Sequence, residues 1–134
     1  MEPQGDIALI GLAVMGRNLI LNMNDHGYTV VAHNRTAARV DEFLAGEAQG
    51  TNIIGARTIP EMVAHLKHPR RVMLLVKAGQ PVDDFIKKLV PHLAPGDIII
   101  DGGNSLYEDT IRRTKYLESR GFLFVGTGVS GGEE

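Results

Sequence analysis

Apolar positions recur along the chain with two different periods. Five short apolar runs have the length of a strand buried on both faces: residues 7–10, 29–33, 71–76, 97–101 and 122–125. The segments between them place apolar residues every three or four positions, as amphipathic helices do. Helices are predicted after Gly16, ending near Asn24 to Gly27, and at residues 37–45, 58–66, 81–93 and 107–120.

This alternation of strand and helix predicts one α/β domain over residues 1–134. The expected architecture is a Rossmann-type doubly wound sheet of six parallel strands joined by crossover helices. Residues 47–57 are mixed in character and receive no assignment. Ligands bind such sheets at the carboxyl ends of the strands, so the residues after each strand are the candidates for function.

A glycine motif follows the first strand. Gly11, Ala13 and Gly16 stand at the spacing G-x-G-x-x-G, with alanine in the middle place. Gly11 permits a tight turn, Ala13 is small enough for a pyrophosphate to approach the backbone, and Gly16 allows close packing of helix and strand. The next helix then offers its free amides to phosphate. An ordinary strand-to-helix turn remains the alternative, and the helix's methionines, Met15 and Met23, are interpreted as core residues.

The end of the second strand distinguishes between two cofactors. An NAD-binding domain would place a carboxylate there, but this chain has Asn34, Arg35 and Thr36. A guanidinium fork and a hydroxyl suit a 2′-phosphate, so NADP is predicted rather than NAD. The alternative is a solvated Arg35 and a Thr36 that only caps the next helix. His33 is interpreted as a strand-end residue without a further role.

Two further strand ends are candidate contacts. The backbone of residues 76–79 can line the crevice, while Lys77 is interpreted as a solvated charge rather than a catalytic group. Gly102, Gly103 and Asn104 bring the backbone close to a ligand and suit a carboxamide or a polyol. Ser105 or Asn104 could instead, or in addition, cap the following helix.

Composition excludes several classes of protein. The formal charge is −2, from 14 basic and 16 acidic residues, without a basic tract, which argues against nucleic-acid binding. Cysteine is absent, so disulfides and thiolate metal sites are excluded, and no metal is predicted at His65 and His68. We find no signal peptide or membrane-length apolar run, and predict a soluble, cytoplasmic domain. Asp83 and Asp84 are interpreted as helix-dipole partners with no further role.

In these motifs the sequence closely resembles the coenzyme domain of the 6-phosphogluconate dehydrogenase family. The matching stretches are residues 11–16, 34–36, 101–105 and 128–132, in the family's order and spacing. The resemblance extends from about Asp6 to the last residue. The more distant β-hydroxyacid dehydrogenases are similar at the first and last motifs but differ at residues 101–105.

The resemblance implies NADP-dependent oxidative decarboxylation of 6-phosphogluconate to ribulose 5-phosphate in the pentose phosphate pathway, by a homodimer. It implies cofactor binding by Gly11, Leu12, Ala13, Val14, Met15, Gly16, Asn34, Arg35, Thr36, Val76, Lys77, Ala78 and Asn104. Substrate contacts are implied for Asn104, Ser130, Gly131 and Gly132.

The family's general base, a lysine, and general acid, a glutamate, lie on a helix that would follow residue 134, before a helical domain. No catalytic residue is therefore assigned, and the chain is expected to be a fragment or an isolated domain that binds NADP without turnover. The alternatives are an NADP-sensing module and a β-hydroxyacid dehydrogenase that acts on another substrate.

Overall fold

One sheet of six parallel strands organises the computed structural model, which describes residues 2–127. The strands are β1 (Ile7–Ile10), β2 (Val30–His33), β3 (Ile54–Gly55), β4 (Arg71–Leu74), β5 (Ile98–Asp101) and β6 (Leu123–Gly126). Their order is β3-β2-β1-β4-β5-β6. The winding reverses between β1 and β4, and this switch point is where such sheets bind ligands. The predicted fold class is confirmed.

Five α-helices connect the strands. They are α1 (Val14–Asp25), α2 (Ala37–Ala45), α3 (Ile59–Ala64), α4 (Gln80–Leu89) and α5 (Tyr107–Glu118). A 3-10 turn over Val90–His92 follows α4 and contains Pro91, which lacks the N–H that would continue the helix. Thr58 caps α3, because its hydroxyl accepts a hydrogen bond of 3.2 Å from the Glu61 amide.

The strand that the sequence did not locate is β3, at the edge of the sheet. It has two residues, Ile54 and Gly55, which pair with Val31 and Ala32 of β2. Gly55 packs closely against α2, where a Cβ would lie 2.3 Å from Cδ1 of Leu44 and would displace the tip of that side chain. A two-residue strand that contains a glycine leaves no apolar alternation to read.

The two faces of the sheet carry separate apolar clusters. Along β1, Ala8 and Ile10 pack on the face covered by α3, α4 and α5, while Leu9 packs on the face covered by α1 and α2. All three side chains are fully buried. Burial on both faces explains why the inner strands read as continuous apolar runs, and it leaves the carboxyl ends of the strands as the open edge.

Candidate functional site

The glycine turn after β1 has no room for side chains at two positions. Gly11 has a φ of +122°, and a Cβ there would lie 2.1 Å from the Leu75 carbonyl oxygen. A Cβ on Gly16 would lie 1.9 Å from the Gly11 carbonyl oxygen. The tight turn and the close helix packing predicted for these glycines are both present. Ala13, at the N-cap of α1, cannot cap the first-turn amides, which leaves them to a ligand or to water.

The first turn of α1 presents apolar side chains to the open edge of the sheet. Val14 is 63% exposed and Met15 is 45% exposed. The interpretation of Met15 as a core residue is therefore wrong, because α1 begins at Val14 and its first turn projects beyond the strands. Met23, two turns further on, is partly buried against the core as predicted.

Asn34 joins the glycine turn to the end of β2. Its Oδ1 accepts a hydrogen bond of 2.9 Å from the Leu12 amide, and its Nδ2 donates one of 3.2 Å to the Thr36 carbonyl. Thr36 occupies the N-cap of α2 as the alternative interpretation required, but its side chain forms no capping hydrogen bond. Arg35 is exposed and forms no ion pair with residues 2–127.

A basic cleft of about 510 Å³ opens beside these residues, between the end of β2 and α4. It is lined by Asn34, Arg35, Val76, Lys77, Pro81, Asp84, Phe85, Lys87 and Lys88. Four of these side chains are cationic and one is a carboxylate, so the cleft attracts anions. Lys77 is exposed on its wall, as a solvated charge would be.

A second cleft of about 370 Å³ adjoins the basic cleft and shares Arg35, Phe85 and Lys88 with it. His33 lines this second cleft and is 5% exposed. Its Nδ1 lies 2.9 Å from the Ala56 carbonyl oxygen, which can only accept, so Nδ1 carries the proton. Burial holds the pKa of His33 below its ordinary value of 6.5. His33 is thus a buried, neutral strand-end residue.

The end of β5 holds Asn104 between two tethers. Asp101, which is buried, accepts a hydrogen bond of 3.0 Å from the Gly103 amide and another from the Ser105 hydroxyl. Leu106 is the N-cap of α5, without a side-chain cap. The alternative in which Ser105 or Asn104 caps this helix is therefore wrong, because Asp101 uses the Ser105 hydroxyl and Leu106 takes the capping position. The Asn104 side chain is left exposed at the crevice.

The loops after β4 and β5 are connected by a residue that the sequence did not predict, Arg113 of α5. Its Nε donates a hydrogen bond of 2.8 Å to Asp83, and its Nη2 donates one of 3.1 Å to the Gly79 carbonyl. The Arg113 hydrogen bond holds the pKa of Asp83 below its usual value, so the interpretation of Asp83 as only a dipole partner is wrong. The available signal was weak: Arg113 lies four residues before buried Leu117, on the inward face of α5.

The predicted site residues that the structure describes lie after β1, β2, β4 and β5, along the carboxyl edge of the sheet. Ser130, Gly131 and Gly132 lie outside the described residues. The last described residue, Thr127, lies at this edge, where its amide donates a hydrogen bond of 3.0 Å to the Asp101 carbonyl.

Comparison with known proteins agrees with this arrangement. A family model described as the NAD binding domain of 6-phosphogluconate dehydrogenase matches residues 6–134. The chain belongs to the 6-phosphogluconate dehydrogenase family. It is 67% identical over 134 residues to the decarboxylating 6-phosphogluconate dehydrogenase of Cunninghamella elegans, and 70% identical over 131 residues to that of Homo sapiens. It covers 28% and 27% of these two relatives, so it spans just over a quarter of their length.

Solved structures show the same fold. A Plasmodium falciparum 6-phosphogluconate dehydrogenase, described in its apo form, with its cofactor NADP+ and with its substrate 6-phosphogluconate, aligns with a TM-score of 0.81. The alignment has 42% identity and covers 89% of this chain and 26% of that one. A Mycobacterium tuberculosis 3-hydroxyisobutyrate dehydrogenase aligns with a TM-score of 0.79 and 23% identity, over 98% of this chain and 42% of that one, which shows the fold alone.

Among the helices of residues 2–127, none combines the length and the apolar character that a membrane crossing requires.

Proposed function

We propose that this chain is the NADP-binding domain of a decarboxylating 6-phosphogluconate dehydrogenase. Such an enzyme oxidises 6-phosphogluconate and releases carbon dioxide, giving ribulose 5-phosphate, while NADP accepts the hydride and becomes NADPH. The observation that carries the proposal is the set of polar groups after β2. Asn34 and Arg35 line the basic cleft and Thr36 follows them in the chain, at the position where an NAD-binding domain has a carboxylate.

The pyrophosphate is assigned to the N-terminus of α1. The turn from Gly11 to Gly16 brings backbone amides to the open edge, and the positive end of the helix dipole favours an anion there. Neighbouring backbone atoms occupy the space that side chains at Gly11 and Gly16 would need, so the turn keeps its backbone close to the ligand position only with glycine at both places. The exposed side chains of Val14 and Met15 then lie along the cofactor towards its nicotinamide end.

The adenosine half is assigned to the basic cleft. The Arg35 fork and the Thr36 hydroxyl hold the 2′-phosphate, with Asn34 fixing their position through its hydrogen bond to Leu12. Val76 and Lys77 line the other wall, where the Lys77 ammonium adds positive charge. The backbone of Val76, Lys77 and Ala78 is assigned to the cofactor on the family resemblance.

The nicotinamide and the substrate are assigned to the other end of the crevice. Asn104 offers both a donor and an acceptor at the β5 end, which suits a carboxamide and a sugar hydroxyl. Ser130, Gly131 and Gly132 are proposed as substrate contacts on the family resemblance.

No group of this chain is assigned the acid–base chemistry of the reaction. We therefore expect the chain by itself to bind NADP without producing NADPH, since general acid–base catalysis alone contributes about 10²–10⁴-fold. The whole protein is proposed to be a cytoplasmic homodimer that acts on 6-phosphogluconate.

Calorimetric titration of the chain with NADP and with NAD, at one salt concentration, tests this proposal. We expect tighter binding of NADP, because only NADP carries the phosphate that Arg35 and Thr36 are assigned to hold. Equal affinities would contradict the assignment of the 2′-phosphate. Absence of binding by a chain that melts cooperatively would contradict the assigned function itself, and NADPH production on addition of 6-phosphogluconate would contradict the expected lack of turnover.

A further inference from the structure

Arg113 is a fully buried cation, with 2% of its surface exposed. Arginine is almost never buried completely unless it is paired, because removing its charge from water is costly. Here every guanidinium nitrogen has a partner. Nε and Nη2 bind the two carboxylate oxygens of Asp83 at 2.8 and 3.3 Å, Nη1 binds the Ser105 hydroxyl at 3.1 Å, and Nη2 also binds the Gly79 carbonyl at 3.1 Å.

These partners belong to two different loops of the crevice. Gly79 ends the loop after β4, which contains Lys77, and it has a φ of +96° at the N-cap of α4. Ser105 belongs to the loop after β5, which contains Asn104. The guanidinium of Arg113, which projects from α5, therefore bridges the loop after β4 and the loop after β5 at the open edge of the sheet.

Asp101 extends this network of hydrogen bonds to the residues on both sides of Asn104. Asp101 is buried and lies 3.7 Å from Nη1 of Arg113. Its two carboxylate oxygens hold the Gly103 amide and the Ser105 hydroxyl. Asn104 is thus fixed at the residue before it and the residue after it, while its own side chain stays exposed.

A buried ion pair is weak evidence that an arrangement serves stability. Well-packed apolar residues of similar volume in place of a buried ion pair often leave a protein equally stable or more stable. A guanidinium offers five donors in a rigid plane, whereas an ammonium is a compact point charge on a flexible stem. The geometry that Arg113 provides, rather than its charge alone, is what connects the two loops.

We propose that Arg113 is a positioning residue that sets the separation of residues 77–79 from residues 103–105. It thereby presents the Asn104 side chain to the nicotinamide end of the cofactor. This inference rests on the proposed function for its ligand, but the fixing of the loop is a property of the free protein.

The substitution Arg113→Lys tests it, with Arg112→Lys as the matched control. Both variants keep the charge, and Arg112 also binds Asp83, at 3.2 Å, but it is exposed and contacts neither loop. We expect Arg113→Lys to weaken NADP binding roughly 2- to 30-fold. It should weaken adenosine 2′,5′-bisphosphate less, because that ligand lacks the nicotinamide end. The control should change neither affinity more than about twofold.

An unchanged NADP affinity in Arg113→Lys would overturn the inference, and so would equal losses for both ligands, which would indicate general loosening. Thermal melts identify a variant that fails to fold. In that case Ser105→Ala, which removes one hydrogen bond without changing the charge, replaces it. We expect Ser105→Ala also to weaken NADP binding more than binding of adenosine 2′,5′-bisphosphate.

Amide hydrogen exchange of the free chain provides a readout that does not depend on the cofactor. We expect exchange at Gly103 to become roughly five- to tenfold faster in Arg113→Lys, and in Ser105→Ala in the same direction, because the tether at Asp101 is weakened. Unchanged exchange at Gly103 would overturn the inference. If the unsubstituted chain bound no nucleotide, the proposed function would fail while this measurement still decided the role of Arg113.

Discussion

At the scale of single residues, Arg35 combines exposure with a place on the walls of both clefts. We predict that Arg35→Glu weakens NADP binding about 100-fold, because a charge-assisted contact is lost and a repulsive carboxylate takes its place. NAD binding should fall far less. Paired calorimetric titrations with the two nucleotides measure this difference.

Arg39→Glu is the matched control, since it makes the same charge change on α2 at a residue that lines neither of these clefts. It should leave the ratio of the NADP and NAD affinities nearly unchanged. Equal losses of both nucleotides in Arg35→Glu would show that Arg35 does not hold the 2′-phosphate.

His33 makes the stability of the domain depend on pH. Its pKa is lowered in the folded chain by burial, so the unfolded chain binds more protons once the pH falls below about 6.5. The free energy of unfolding should therefore decrease from pH 6.5 towards pH 5, and His33→Phe should reduce that decrease. Urea unfolding at several pH values measures it. An unaltered slope in His33→Phe would contradict this account.

At the scale of elements, threonine is the N-cap residue of both α2 and α3, but only one of the two side chains forms a capping hydrogen bond. Thr58 caps α3 with its hydroxyl, whereas Thr36 stands at the N-cap of α2 without such a bond. We predict that Thr58→Ala lowers the free energy of unfolding by about 1 kcal/mol and leaves NADP affinity unchanged. Thr36→Ala should weaken NADP binding and leave the free energy of unfolding unchanged. Urea unfolding and calorimetry on both variants check this, and a similar stability loss in the two would refute it.

The bounds of the elements follow the sequence where a pattern is long enough. β1 and α2 were located at the residues where the structure has them, and Pro91 stops α4 as its missing N–H requires. β3 could not be located, because it has only two residues and its glycine packs against Leu44 of α2 instead of showing strand propensity. Contacts between distant residues of that kind leave no trace in the local pattern.

At the scale of the whole molecule, the general position of the candidate site was predictable, but the hydrogen bonds and ion pairs within it were not. Strands that all run in one direction end at one edge, so the motifs after β1, β2, β4 and β5 had to meet there. The burial of Arg113 depends on how closely α5 approaches α4 and on the charge of Asp83. Neither property is contained in the spacing of residues along α5.

The hydrogen bonds of Asn34 fix the distance between the two phosphate positions of the proposed cofactor site. One side chain joins the Leu12 amide, beside the assigned pyrophosphate position, to the Thr36 carbonyl, beside the assigned 2′-phosphate position. The spacing of the two anion positions is then set before any ligand arrives, so occupying one raises the effective concentration of a linked group at the other. A mononucleotide that carries only one of these phosphates gains nothing from that spacing, which favours the intact dinucleotide over either of its halves.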